Sequence, residues 1–386
     1  MIYLDNHSAT KPCSSAIERM QPYLSDLWGP GFASYQVGRE LSSLLDVRYQ
    51  ALYDLVGADR EDTCVITSSG AEAANQALWS VFLQKAKKEG KCHFVVSCLE
   101  DAPTMQMMQR LEEFGCYVKI APVKASGEID LEKLESLIGP RTAAVSVTMA
   151  DGLTGVLQPI SEIAALCKKK GTLLHADASY AIGKLYLSLE DLGVDYLSFS
   201  GDRLHALKSS GALFVKAKRP LFPLILGGAE QAGLKGGPFD VPSFMALSAA
   251  ASQAELFIDQ MGLETARLRD LLESKLIQSI PGAKALFSDQ MRLPNVAVVA
   301  FSGAHAEALL YLLGKKGICA AAGGSFHQPL SQILQAIGIE KPFLDAALSF
   351  ALSRYTTEEE ILRAVDGIVE AALYLQAISS EVVLCR

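Results

Sequence analysis

Residues 196–215 read YLSFSGDRLHALKSSGALFV and divide into strand, loop and strand. Tyr196–Ser200 is a short apolar run, and so is Gly211–Val215, which opens on a glycine that lets the chain turn. Upstream, short apolar runs alternate with helical ones. The spacing predicts strands at 64–68, 93–97, 117–123, 143–149 and 172–176, and helices at 71–88, 103–114, 131–138 and 160–170. Further upstream, Leu41, Leu45, Leu52 and Leu55 share one helical face. Strands separated by helices imply an α/β fold, a mostly parallel sheet between helices. Ligands of such sheets sit beyond the carboxyl ends of the strands.

After Gly227-Gly228 and GLKGGP (233–238) the pattern changes. One long helical run is expected from Phe244 to Ile280. Strands at 295–301, 318–321 and 347–352 then alternate with helices in a smaller unit. Thr356-Thr357-Glu358-Glu359 reads as a capping box, with Thr356 capping and Glu359 reaching back. The expected division is a large domain over 14–250 and a smaller α/β domain from 1–13 and 251–386; 386 residues suit two domains.

Composition narrows the function classes. The net charge is −8 with acids and bases interspersed, which argues against nucleic acid. Lys168-Lys169-Lys170 reads as a solvated helix C-terminus before Gly171. No apolar run approaches membrane-spanning length, and Met1–Asp5 enters strand-like sequence directly, so no membrane and a cytoplasmic location are expected. The eight cysteines form no C-x-x-C, and the six histidines have no i, i+4 pairing. Reduced thiols and no metal site are the expectation.

Several stretches together resemble the NifS/IscS-type cysteine desulfurases, class V aminotransferases of fold type I that use pyridoxal phosphate. MIYLDNHSATKPC (1–13) is similar to the family opening Y-L-D-N-x-A-T-T. WGPGFASYQVGRE (28–40) keeps Gly29, Gly38 and Arg39 of G-N-P-S-S-x-H-x-x-G-R. HADA (175–178), LSFS…GALFV and LSRYTTEEEI (352–361) are the most specific pieces. The resemblance covers essentially the whole chain. It implies the fold-type-I architecture, pyridoxal phosphate as cofactor, a homodimer, and an iron–sulfur or sulfur-transfer protein as partner.

Residue by residue, the resemblance also locates the site. Asp177 stands where the family's carboxylate holds the pyridine nitrogen protonated; an Asp capping the segment after a strand is the alternative. Arg203 stands at the Schiff-base lysine, and a guanidinium has no free amine to condense with an aldehyde. Phe326 stands at the nucleophilic cysteine; Cys319, the closest thiol, reads as an inert core cysteine. Asp101 stands at the stacking histidine, Gly152 at the asparagine that contacts the ring hydroxyl, Tyr180 at the ring glutamine, and Ser349 at the substrate arginine, while the later Arg354 is retained.

At the phosphate, Gly70 and Ser200 match the family. Ala71 and Pro238 replace two threonines, and Asp202 replaces a histidine. An aspartate about 4 Å from a phosphate charge, at an effective dielectric of about 20, costs roughly 4 kcal/mol per charge pair.

Three functional readings follow. The first is a desulfurase-like scaffold or binding protein without desulfurase chemistry. The second is an active pyridoxal-phosphate enzyme that uses Lys208, the lysine of the family's G-P-K-G, in a rearranged loop. The third is a new catalyst built from Asp101, Asp177, Asp202 and Tyr180. Arg203 has two expected poses. It turns into the cofactor space and pairs with Asp177, directly, through a water, or shared with Asp202 or Asp101; otherwise it pairs locally with Asp202 and points to solvent.

Overall fold

The structure, a computed structural model, describes residues 1–31, 33–324 and 327–384, without the side chains of 380–384. Phe326, the residue at the nucleophile position, lies outside the described residues. The strands are β1 Ile2–Tyr3, β2 Thr63–Thr67, β3 His93–Ser97, β4 Tyr117–Ala121, β5 Thr142–Thr148, β6 Leu173–Asp177, β7 Tyr196–Ser200, β8 Gly211–Val215, β9 Ala283–Leu286, β10 Val296–Phe301, β11 Ile318–Cys319 and β12 Ala347–Ala351.

Seven of them form one sheet in the order β2-β8-β7-β6-β5-β3-β4. From β7 to β4 the pairing is parallel; β8 pairs antiparallel with both β7 and β2. The strands read as near-continuous apolar runs because both faces are covered: every residue of β5 and β8 is buried. Phe94, Tyr196, Phe199 and Phe214 are among the largest fully buried side chains. Each would contribute on the order of 1.5–3 kcal/mol of apolar burial.

A second, antiparallel sheet has the order β12-β10-β9, and β1 pairs parallel with β11. The long helical run breaks at Phe257 into Val241–Leu256 and Ile258–Ser279, bent by 68°. Neither proline nor glycine stands at the break; Phe257 itself leaves helical geometry at φ −107°, ψ 8°. The capping box lies one residue later than expected. Thr357 Oγ1 accepts from the Glu360 N–H at 3.2 Å, and Glu360 Oε2 accepts from the Thr357 N–H at 3.1 Å. Thr356 instead accepts from the Ser353 N–H, which closes the preceding turn. No single helix among the described residues is long and apolar enough to cross a membrane.

Candidate active site

The carboxyl ends of four strands converge on one cavity. β3 leads into Glu100 and Asp101, β5 ends on Thr148, β6 ends on Asp177 just before Tyr180, and β7 ends on Ser200 just before Asp202 and Arg203. The helix Gly70–Val81 starts at the same point. Ser69 Oγ caps it by accepting from the Glu72 N–H, and Gly70 lets it approach: a Cβ there would lie 3.0 Å from Ser200 Cβ and 3.2 Å from Ser179 Oγ. The cavity measures about 170 Å³. Eight of the expected residues line it: Gly70, Ala71, Asp101, Asp177, Tyr180, Ser200, Asp202 and Arg203. Glu100, Ser179 and Lys208 line it as well.

Arg203 combines half of each expected pose. Its side chain is only 7% exposed, so it points inward, yet its ion pair is with Asp202, Nη1 to Oδ2 at 2.8 Å, rather than with Asp177. Nη1 also donates to the Ser8 carbonyl. The neighbouring carboxylate wins because it is one residue away, and the short helical turn at 201–203 keeps it beside the guanidinium. Asp202 is anchored by Ser200, whose Oγ donates to Oδ1 at 2.6 Å.

Tyr180 is the centre of a second network. Its hydroxyl donates to Asp101 Oδ2 and lies 3.1 Å from His327 Nδ1. Burial, then the Asp101 charge, pushes the phenol well above its ordinary range, so it keeps its proton. With that proton committed to Asp101, the hydroxyl oxygen accepts from His327 Nδ1–H. Behind His327, at 5.7 Å between ring centroids, the buried His7 holds Asp5 Oδ1 with Nε2 at 3.0 Å. The sequence reading missed His327 and Ser8. The signal for His327 was its place immediately after the nucleophile position.

Asp177 accepts from the Ser179 N–H at 2.8 Å and has no cation among its described partners. Burial, with a smaller push from Asp101, raises it to about 6. Glu100, also buried, is raised well above the usual range although it accepts from the Thr148 N–H at 2.5 Å. Lys184 lies behind the loop with Nζ donating to the Arg203 carbonyl at 3.2 Å. Burial, then Arg203 and Arg354, lowers it to about 7.

Three other expected residues do not line this cavity: Gly152 lies against the Tyr180 ring, and two lie elsewhere. Pro238 lines a separate cavity of about 620 Å³ with Trp28, Tyr49 and Phe239. Ser349 is fully buried in β12, and its Oγ donates to the Leu153 carbonyl at 2.6 Å.

Pyridoxal phosphate and these residues do not fit each other. At the phosphate end, a carboxylate takes up the Ser200 hydroxyl. At the ring end, a Cβ on Gly152 would lie 2.5 Å from Tyr180 Cζ, so the phenol ring fills that space. What remains is smaller than the roughly 300–1,000 Å³ of common ligand pockets.

Comparison with known proteins agrees with this architecture. The Aminotransferase class-V family matches residues 2–363. A cysteine desulfurase of a Nostoc species is 33% identical over 384 residues, covering 98% of this chain and 94% of that protein. The cysteine desulfurase NifS of Azotobacter vinelandii is 32% identical over 383 residues, covering 98% and 94%. A solved structure described as a NifS-like protein superposes with a TM-score of 0.90 at 28% identity, over 97% of this chain and 99% of that one.

Proposed function

We propose that this chain, which belongs to the aminotransferase class-V family and to its NifS-like cysteine desulfurases, has given up desulfurase chemistry and works as a binding or scaffold protein. The family is one of pyridoxal-phosphate enzymes. The observation that carries the reading is Arg203, a buried guanidinium ion-paired to Asp202 at the position of the family's Schiff-base lysine. It cannot form the carbon–nitrogen double bond on which the family's chemistry depends. The purified protein supplied with pyridoxal phosphate and L-cysteine is expected to release neither sulfide nor alanine, and Arg203→Lys alone is expected not to restore release. Robust turnover by the unaltered protein would overturn the proposal.

A homodimer is part of the same proposal, with a protein of iron–sulfur or sulfur-transfer assembly as the further partner. Trp28, 77% exposed, lines the same cavity as Pro238, and an apolar group so placed favours a covered interface. More than about 1,000 Å² is expected to be buried between the copies. A monomer in light scattering at micromolar concentration counts against it.

One observation favours a second reading. Lys208 is exposed and lines the same cavity as Asp177. In the second reading, an amine at the cavity mouth takes the place of the missing lysine. Borohydride reduction in the presence of pyridoxal phosphate, followed by peptide mass spectrometry, separates the two. Stoichiometric pyridoxyl label on Lys208 favours the second reading, and scattered labelling of surface lysines favours the first.

A further inference from the structure

We propose that Tyr180 and Gly152 form a reciprocal pair that shuts the ring compartment: Tyr180 fills it, and Gly152 supplies the clearance that lets Tyr180 enter. This rests on the reading that desulfurase chemistry is lost, and adds the residues that decide whether a pyridoxine-type ring is admitted at all.

Of the positions that surround the ring in the family that the chain belongs to, three are held here by Asp101, Gly152 and Arg203. Tyr180 touches all three. Its hydroxyl bonds Asp101, its ring lies against Gly152, and the Arg203 guanidinium carbon is 5.7 Å from its ring centroid. A side chain that reaches all three occupies the space between them.

Gly152 is not required by its backbone, because its φ is not among the left-handed glycines. It is required by its neighbour. An added Cβ would lie 2.5, 2.7 and 2.8 Å from three Tyr180 ring carbons, closer than real Cβ atoms come. Neither alanine nor asparagine fits at 152 while Tyr180 keeps its place. Its polar atom is also satisfied from within the chain, as donor to Asp101 and acceptor from His327. No ligand is needed to complete it.

The test uses pyridoxamine, which carries the ring without the aldehyde that would label lysines or the phosphate that Asp202 would repel. Binding to the full chain is measured by calorimetry and by thermal shift. Wild type and Tyr180→Phe, which keeps the ring, are expected to bind no pyridoxamine saturably. The double variant Gly152→Asn with Tyr180→Gln is expected to bind about tenfold or more tighter than wild type. Gly152→Ala, which displaces Tyr180 with a single methyl, is expected to move in the same direction and decides the matter if the double variant does not fold. Wild type binding as tightly as the opened variants overturns the pair, as do folded opened variants that bind no better than wild type. Wild type that binds pyridoxamine yet releases no sulfide from L-cysteine overturns the plug and leaves the proposed function standing. Sulfide release overturns both.

Discussion

Asp177→Asn isolates the electrostatic cost of a carboxylate left without a cation. Burial raises Asp177 from 3.8 to about 6. The sign follows from proton linkage. A group whose folded pKa is raised stabilises the fold while it is protonated, and that stability is lost as pH rises from about 3.8 through about 6. Above that window the full displacement weighs against the fold, by roughly 3 kcal/mol at 1.36 kcal/mol per pH unit. Between about pH 4.5 and about pH 7.5 the same linkage changes by roughly 2 kcal/mol.

Asparagine keeps an Oδ1 to accept from the Ser179 N–H, so geometry is preserved while the charge is removed. Urea unfolding of both proteins at the two pH values gives the difference between them, in which all other titrating groups cancel. The variant is expected to gain roughly 2 kcal/mol relative to the parent on going to the higher pH. An unchanged difference would refute the reasoning and imply that a cation neutralises Asp177 in the folded protein.

Lys184, lowered to about 7, costs the fold increasingly as pH falls from its ordinary range of about 10.5, so Lys184→Met is expected to gain more stability near pH 6 than near pH 10 in matched urea titrations. Arg203→Ala leaves the half-buried Asp202 with Ser200 alone and the Ser8 carbonyl without this donor; a loss of about 3 kcal/mol is expected, part of it recovered by adding Asp202→Asn. Ser349→Arg, which restores the family's residue, forces a charge into a fully buried strand and is expected to abolish soluble expression, while Ser349→Ala costs about 1 kcal/mol in chemical denaturation. Thr357→Ala removes the helix cap and is expected to cost about 1 kcal/mol by the same measurement.

The sheet was legible because its strands are short, continuous apolar runs with turns at their ends. β3, β7 and β8 begin and end where the run of apolar residues does. The site was legible as a set of positions, because a parallel sheet delivers its strand ends to one crevice and 177, 180, 200 and 203 each follow a strand closely. The break at Phe257 was not legible, since neither proline nor glycine stands at the break, and Gly262 lies inside the helix that follows it. The capping box slipped by one because Thr356 and Thr357 are chemically equal caps. Thr356 is taken by the Ser353 turn, which leaves Thr357 to cap the helix with Glu360 three residues on.

What each position does was less legible, and the reason is cooperative packing. Taken one at a time, Gly152 and Tyr180 are two losses of polar contacts to a cofactor. Taken together they are one gain, a large side chain and the clearance it needs. Arg203 follows the same logic. A long cation among Asp101, Asp177 and Asp202 has three carboxylates to choose from, and charge counting cannot rank them. Geometry does: the turn at 201–203 places Asp202 against the guanidinium, and Ser200 holds the carboxylate there. Asp177 is then left to Ser179 and to the proton, and burial displaces its carboxyl upward to about 6.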